Sequence, residues 1–335
     1  MPAAPTPARL ADRHGRVARD LRVSVTDRCN LRCRYCMPAE GLPWLAKPEM
    51  LDDDELVRLV SIFVSLGVQQ VRLTGGEPLL RRSLADVVAR IAALEPRPKI
   101  AMTTNGIGLD RLAGPLAAAG LDRVNVSLDT VDPQEFADLT RRDRLHDVEA
   151  GLAAARDAGL VPVKVNAVAM RGVNDTSVAD LLAWCVERGY ELRFIEQMPL
   201  DAQHDWSRTE MVTADEIFAL LSAEFDLAPA SEPRGSAPAE LFTVDGGPGT
   251  VGVIASVTRP FCGDCDRVRL TADGQVRNCL FAREESDLRT AMRAGADDQE
   301  LADRWVVAML GKRPGHGIDD PSFLQPDRPM SAIGG

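Results

Sequence analysis

The segment Leu21-Arg-Val-Ser-Val25-Thr-Asp-Arg-Cys29-Asn-Leu-Arg-Cys33-Arg-Tyr-Cys36 joins a short β-type run directly to three cysteines. Thiols so closely spaced, just past a strand, predict a metal cluster bound in a loop at the strand's C-terminal end. Active sites of βα barrels are built at that end. An amphipathic helix is predicted next. Asp52 caps it, Asp53, Asp54 and Glu55 occupy its first turn, where negative charge is favoured, and Leu56, Leu59, Val60 and Phe63 share one face.

The same rhythm recurs down the chain. Further β runs are Gln70–Thr74, Lys99–Thr103, Arg123–Leu128, Val161–Val168 and Leu192–Gln197, and helical patterns follow all but the last; Ser83, for example, precedes Leu84, Val87, Val88 and Ile91. Alternation of this kind implies parallel strands with right-handed crossovers. The expected fold is α/β, a partial (βα)6 TIM-like barrel, because two units needed for a complete barrel are not found. An open doubly wound sheet is the alternative. Three regions are expected: a flexible N-terminal arm (1–19), the barrel (20–199), and a C-terminal extension (200–335) carrying a second metal site. Within the extension, 201–213 reads as a loop, 215–225 as a helix, 228–239 as a connector, and 241–257 as β runs split by Asp245-Gly-Gly-Pro-Gly249.

Composition narrows the class. The chain has 335 residues, 45% hydrophobic, with a formal net charge of −11. That suits a globular protein and gives no general footprint for nucleic acid or anionic membrane. No stretch approaches a membrane span, and the N-terminus lacks a signal-peptide core, so a cytoplasmic enzyme is expected. Seven cysteines without a secretory signal argue against a disulfide framework.

Six of those cysteines form two triplets. Cys29, Cys33 and Cys36 have the spacing C-x3-C-x2-C, and Cys262 and Cys265 pair with Cys279 after thirteen intervening residues. Neither triplet has an evident fourth ligand, whereas a structural zinc site or a ferredoxin cluster normally takes four. Each therefore reads as a 4Fe–4S cluster with one iron open. Cys185, in a helical pattern with Leu181 and Leu182, reads as a buried apolar residue. Arg267 and Arg269 fall on one face of a strand beside the second triplet, and paired guanidiniums suit a phosphate-bearing ligand. Arg22, Arg72 and Lys164 interrupt otherwise apolar runs, where charge is costly unless paired, and form a candidate internal anion site.

At the first triplet, with Tyr35 before its last cysteine and Thr74-Gly-Gly-Glu-Pro78 one strand later, the chain resembles the radical S-adenosylmethionine superfamily. With Thr103-Thr-Asn-Gly106, Asn125-Val-Ser-Leu-Asp129, Pro162-Val-Lys-Val-Asn166, Phe194-Ile-Glu-Gln-Met-Pro199 and Cys262-Gly-Asp-Cys-Asp-Arg-Val-Arg-Leu-Thr271, it resembles the GTP 3′,8-cyclase family of molybdenum-cofactor biosynthesis. The resemblance implies two 4Fe–4S clusters and S-adenosylmethionine as cofactors and GTP as substrate. A 5′-deoxyadenosyl radical would abstract hydrogen from ribose C3′, and C3′ would join guanine C8 to give 3′,8-cyclo-7,8-dihydro-GTP. Tyr35, Gly76, Ser127 and Met198 would contact S-adenosylmethionine. Arg22, Arg72, Thr103, Lys164, Arg267 and Arg269 would contact GTP. The tail glycines Gly334 and Gly335 would insert into the active site and, with Arg267 and Arg269, be needed for activity. A reductant or electron-donor protein, metabolite hand-off to a cyclic pyranopterin monophosphate synthase, and a homodimer complete the expectation. The rivals are a peptide-modifying radical enzyme with an auxiliary cluster, which normally needs more C-terminal cysteines, and a non-enzymatic zinc or electron-transfer module.

Overall fold

The computed structural model describes residues 10–231 and 233–334. Six βα units run in chain order: β1 (Asp20–Ser24) and α1 (Asp53–Ser65), β2 (Gln70–Thr74) and α2 (Leu84–Ala92), β3 (Lys99–Thr104) and α3 (Leu109–Ala118), β4 (Arg123–Ser127) followed by α4 (Pro133–Thr140) and α5 (Leu145–Asp157), β5 (Lys164–Ala169) and α6 (Val178–Glu187), β6 (Glu191–Glu196) and α7 (Ala214–Ser222). Local chemistry sets their ends. Asp52 accepts a hydrogen bond from the Glu55 amide at 2.8 Å, and the Glu55 side chain accepts one from the Asp52 amide at 3.0 Å, closing a capping box. Ser83 does not cap α2; its hydroxyl donates to Asp53. The fifth run starts at Lys164, later than its composition suggests, because Pro162 has no N–H for a ladder.

β1 to β6 lie side by side, all parallel. The C-terminal part does more than cover them. Its β7 (Leu227–Pro229), β8 (Glu240–Val244), β9 (Thr250–Ile254), β10 (Arg267–Leu270), β11 (Gln275–Arg277) and β12 (Ser286–Asp287) join the same sheet, in the order β12-β11-β10-β1-β2-β3-β4-β5-β6-β9-β8-β7. β9 pairs parallel with β6, and β10 parallel with β1. The partial barrel thus gains a strand at each edge from a region read as an extension, and α7, the helix of its sixth unit, comes from that region too. Helices α8 (Arg289–Arg293), α9 (Asp298–Leu310) and α10 (Met330–Ile333) complete the chain.

Register explains the charged interruptions. Leu21, Val23, Val71, Leu73, Val268 and Leu270 belong to the buried core. The alternate positions place Arg269, Arg22 and Arg72 in one row across three neighbouring strands. Of the arm expected to be flexible, Leu10, Asp12, Arg16 and Ala18 are buried, and Ala11 and Val17 form a β-bridge.

Glu196, at the end of β6, ties the two parts together. It is fully buried, and its carboxyl group accepts hydrogen bonds from the amides of Ala214, Val257 and Thr258 and from the Thr258 hydroxyl, at 2.5–2.9 Å. One group thereby fixes the start of α7 and the chain leading to the second cysteine triplet. Glu196→Gln turns an NH2 toward donors and is expected to cost about 2–3 kcal/mol. Urea unfolding checks this: the midpoint should fall with an unchanged slope.

Candidate active site

The loop after β1 carries the first triplet. Cys36 and Met37 donate their amides to the Cys33 carbonyl at 2.9 and 3.1 Å, winding the loop tightly. Arg32 donates to the Cys29 carbonyl, and Arg141 donates to the carbonyls of Arg32 and Met37. All three thiols are free and line one cavity of about 340 Å3. Burial pushes each thiol up; the Cys36 thiol reaches about 12, with the neighbouring Cys29 adding to the rise. Crowded, desolvated thiolates need a cationic partner, and an iron cluster is one. Among the described residues no three His, Cys, Asp or Glu side chains close on a single-ion site. A multi-iron cluster spreads its thiolate ligands over several metal atoms, and that donor set fits this loop.

The glycine pair meets the same loop from β2. A Cβ on Gly75, whose φ is +145°, would lie 2.2 Å from the Thr26 carbonyl oxygen, and one on Gly76 would lie 2.2 Å from that of Arg28. The Gly76 and Glu77 amides donate to those same carbonyls at 2.8 and 2.7 Å. The glycines therefore admit the cysteine loop itself, as well as lining the cavity. Glu77 is buried and accepts from the Leu79 and Asn105 amides and the Thr104 hydroxyl. Burial pushes its carboxyl up to about 7 against those bonds. Asn105 donates to Asn30 at 2.7 Å and points its other contact at the Cys29 sulfur, 4.0 Å away.

Tyr35, Ser127 and Met198 lie on the wall beside the first triplet's cavity. The Tyr35 hydroxyl donates to Asp129 at 2.9 Å, and burial raises the Asp129 carboxyl to about 6.

The second triplet lines the same cavity from the opposite part of the chain. Burial raises the Cys262 thiol. At Cys265 burial acts in the same direction, yet Lys312, Arg267 and Arg269 outweigh it and the thiol lies below its usual range. Arg267 spans Cys265 and the Ser236 carbonyl and stacks on Phe261, 4.9 Å from the ring centre.

Arg22, Arg72, Thr103, Arg267 and Arg269 all reach the cavity. The Nε atoms of Arg22, Arg72 and Arg267, and the side-chain oxygens of Asn125 and Asn166, are buried without hydrogen-bond partners. Burial, then repulsion from Arg22, brings both Arg72 and Arg269 down to about 9. Desolvated guanidiniums that repel one another call for an anion. Lys164 is not on the cavity wall; its ammonium binds Glu191 at 2.7 and 2.8 Å, and Glu191 also holds Arg193 at 2.8 Å. Arg193 does line the cavity. The Arg193 signal was present in the sequence, since it interrupts an apolar run as Arg22 and Arg72 do. Glu77, Asn105 and Asp129 lie inside the quoted motifs Thr74–Pro78, Thr103–Gly106 and Asn125–Asp129, but nothing in their spacing assigns them a role of their own.

Gly334 is buried, with φ +74°, and its carbonyl accepts from Arg269 Nε at 3.4 Å. A Cβ there would lie 2.6 Å from the Ser24 hydroxyl oxygen. Gly335 lies outside the described residues. Cys185 is buried in α6.

Two family models match the chain: Radical SAM superfamily over residues 23–185 and Molybdenum Cofactor Synthesis C over residues 190–318. A GTP 3′,8-cyclase of Streptomyces coelicolor is 68% identical over 97% of this chain and 96% of its own. The Mycobacterium tuberculosis GTP 3′,8-cyclase 2 is 60% identical over 99% of this chain and 93% of its own. The Corynebacterium glutamicum GTP 3′,8-cyclase is 59% identical over 97% and 89%. Among solved structures, Streptococcus suis SuiB bound to S-adenosylmethionine superposes with a TM-score of 0.58 at 13% identity, covering 91% of this chain and 68% of SuiB, a likeness of fold alone. Full-length identity at this level, with both thiol triplets on one cavity, establishes that the chain belongs to the GTP 3′,8-cyclase family of the radical SAM superfamily.

Proposed function

We propose that GTP is cyclised in this cavity, held between a cluster on Cys29, Cys33 and Cys36 and a second cluster on Cys262, Cys265 and Cys279. The observation that carries this reading is the meeting of two thiol triplets and the guanidiniums of Arg22, Arg72 and Arg267, whose Nε atoms are unpartnered, on one cavity wall. When bound, the first cluster with S-adenosylmethionine supplies the 5′-deoxyadenosyl radical, and the second supplies an open iron for the guanine base.

The chain's own residues do the positioning. Tyr35, Gly76, Ser127 and Met198 form the S-adenosylmethionine side. Tyr35 is steadied by Asp129, and Gly76 by its bond to the cysteine loop. Arg22, Arg72, Arg267, Arg269 and Thr103 bind the nucleotide. Arg guanidiniums make paired, charge-assisted bonds to phosphate oxygens, which suits a triphosphate. Lys164 acts from behind the wall: with Glu191 it orients Arg193 toward the same anion. Gly334 turns Arg269 through its carbonyl, which gives the tail a part in catalysis. Fixing C3′ and C8 of one molecule in an attack geometry converts the ring closure into a matter of placement.

The wider setting belongs to the same reading: a cytoplasmic enzyme, supplied by a reductant or electron-donor protein, passing its product to a cyclic pyranopterin monophosphate synthase, and able to act as a homodimer. No helix among the described residues is long and apolar enough to cross a membrane.

The test is an anaerobic reaction of the reconstituted protein with S-adenosylmethionine, a strong reductant and GTP. Iron analysis is expected to give about eight irons per chain, as two four-iron clusters require. Mass spectrometry should find 5′-deoxyadenosine and a cyclised dihydro-GTP. If 5′-deoxyadenosine forms while GTP is unchanged, the substrate reading fails. Deletion of Gly334 and Gly335 is expected to leave the iron content intact and abolish cyclisation; normal product from the truncated chain would remove the tail from the mechanism.

A further inference from the structure

The two thiol triplets sit in different electrostatic surroundings. Around the first, Asn105 offers Cys29 a neutral amide, Arg32 reaches the Cys29 carbonyl, and the carboxyl groups of Glu77 and Asp129 stand nearby. Around the second, cations converge. Arg16, buried in the N-terminal segment and paired with Asp12, donates to the carbonyls of Cys262, Arg313 and Pro314 at 2.6–3.1 Å. Lys312, directly after α9 and its Gly311 cap, is only 3% exposed. Its ammonium donates to the Arg267 carbonyl at 2.8 Å, the Cys265 carbonyl at 3.0 Å and the Cys265 sulfur at 3.5 Å. An ammonium has three N–H bonds, so all are used and none goes to a carboxylate. Both Cys265 and Cys279 act on this buried charge as anionic groups, and it is the Cys265 sulfur that its hydrogen bond reaches.

We propose that Lys312 tunes the second cluster, raising its reduction potential through a charged hydrogen bond to the Cys265 sulfur. The proposal rests on the reading of Cys262, Cys265 and Cys279 as cluster ligands. An N–H donor to a ligand sulfur and a buried positive charge both stabilise the reduced, more negative state of an iron–sulfur cluster. At short range and away from water the charge acts strongly. The two carbonyl bonds hold the ammonium in place, so its distance from the sulfur is fixed by backbone on either side of Asp266 and not by a mobile side chain. Lys312 thus acts through Cys265 as a positioning and tuning residue, distinct from the arginines that face the nucleotide.

The experiment is an EPR-monitored redox titration of the anaerobically reconstituted full chain and of Lys312→Met, Lys312→Gln and Lys312→Arg. The signal that changes on addition of S-adenosylmethionine identifies the first cluster and serves as the internal control. The expected result is a shift of the second cluster's midpoint to lower potential in Lys312→Met and Lys312→Gln, an unmoved first midpoint, and restoration toward the parent value in Lys312→Arg. An unmoved second midpoint with full iron content overturns the proposal. Loss of the second cluster from both neutral variants also overturns it, leaving Lys312 as a structural anchor. A parent protein that binds only the first cluster overturns the cluster reading itself, and is told apart because the failure then precedes any substitution.

Discussion

Positive charge buried inside a sheet is the constraint on which the rest of this molecule depends. Arg269, Arg22 and Arg72 share one row across three strands, and Arg267 lies level with Asp20 one step along. Burying guanidiniums together costs several kcal/mol unless they are paired. Asp20 meets part of that cost: burial opposes its ionisation, yet Arg22, Arg72 and Arg267 together hold its carboxyl below the usual range. Asp20, with Asp266 acting on Arg22 as well, does not balance four cations. The excess charge faces the cavity, inside a protein whose total is −11. A phosphate-bearing substrate can thus be attracted by an acidic protein, because the local field of a low-dielectric cleft outweighs the distant surface charge.

That constraint explains why the C-terminal part is built into the sheet. Two of the four arginines come from β10, which must pair with β1 to bring them level with Arg22 and Asp20. At the other edge β9 covers β6, so neither barrel edge is left with a row of unpaired backbone groups. Buried and half-buried polar groups lock the arrangement. Glu196 pins the approach to the second triplet, Arg16 clamps the Cys262 carbonyl, and Arg328 binds both Asp273 and Glu285. Each is a charged side chain spent on holding backbone or partner charge far away in sequence, and the cavity's shape follows from them.

The glycine motif shows how one short sequence serves packing and chemistry together. Gly75 and Gly76 let β2 approach the cysteine loop closely enough for two backbone hydrogen bonds. The next residue, Glu77, is drawn into the interior and holds the turn after β3. The cysteine loop is therefore supported by β2, by β3 through Asn105, and by Arg141 after α4. Its thiols are presented by a rigid frame, as a metal site needs.

Much of this was readable from residues alone, and the divide has a physical basis. Spacing within a loop and alternation along a strand are local properties. The sequence by itself determined the six parallel β runs and the helices after the first five, the two thiol triplets, the basic residues that interrupt apolar strands and helix caps such as Asp52. The tail glycines were marked only through the family resemblance, and the fold sets Gly334 against Arg269. Tertiary structure decided what required long-range register. It made Lys164 a partner of Glu191 behind the wall, and it brought Arg193, Glu77, Asn105 and Asp129 to the site. It placed β9 and β10 at the barrel edges, and Lys312 against Cys265. Arg16 and Cys262 are 246 positions apart, and no pattern in either neighbourhood announces the other. Such contacts are chosen by strand pairing and by the cost of leaving a buried charge alone, which the whole fold, and no single segment, can satisfy.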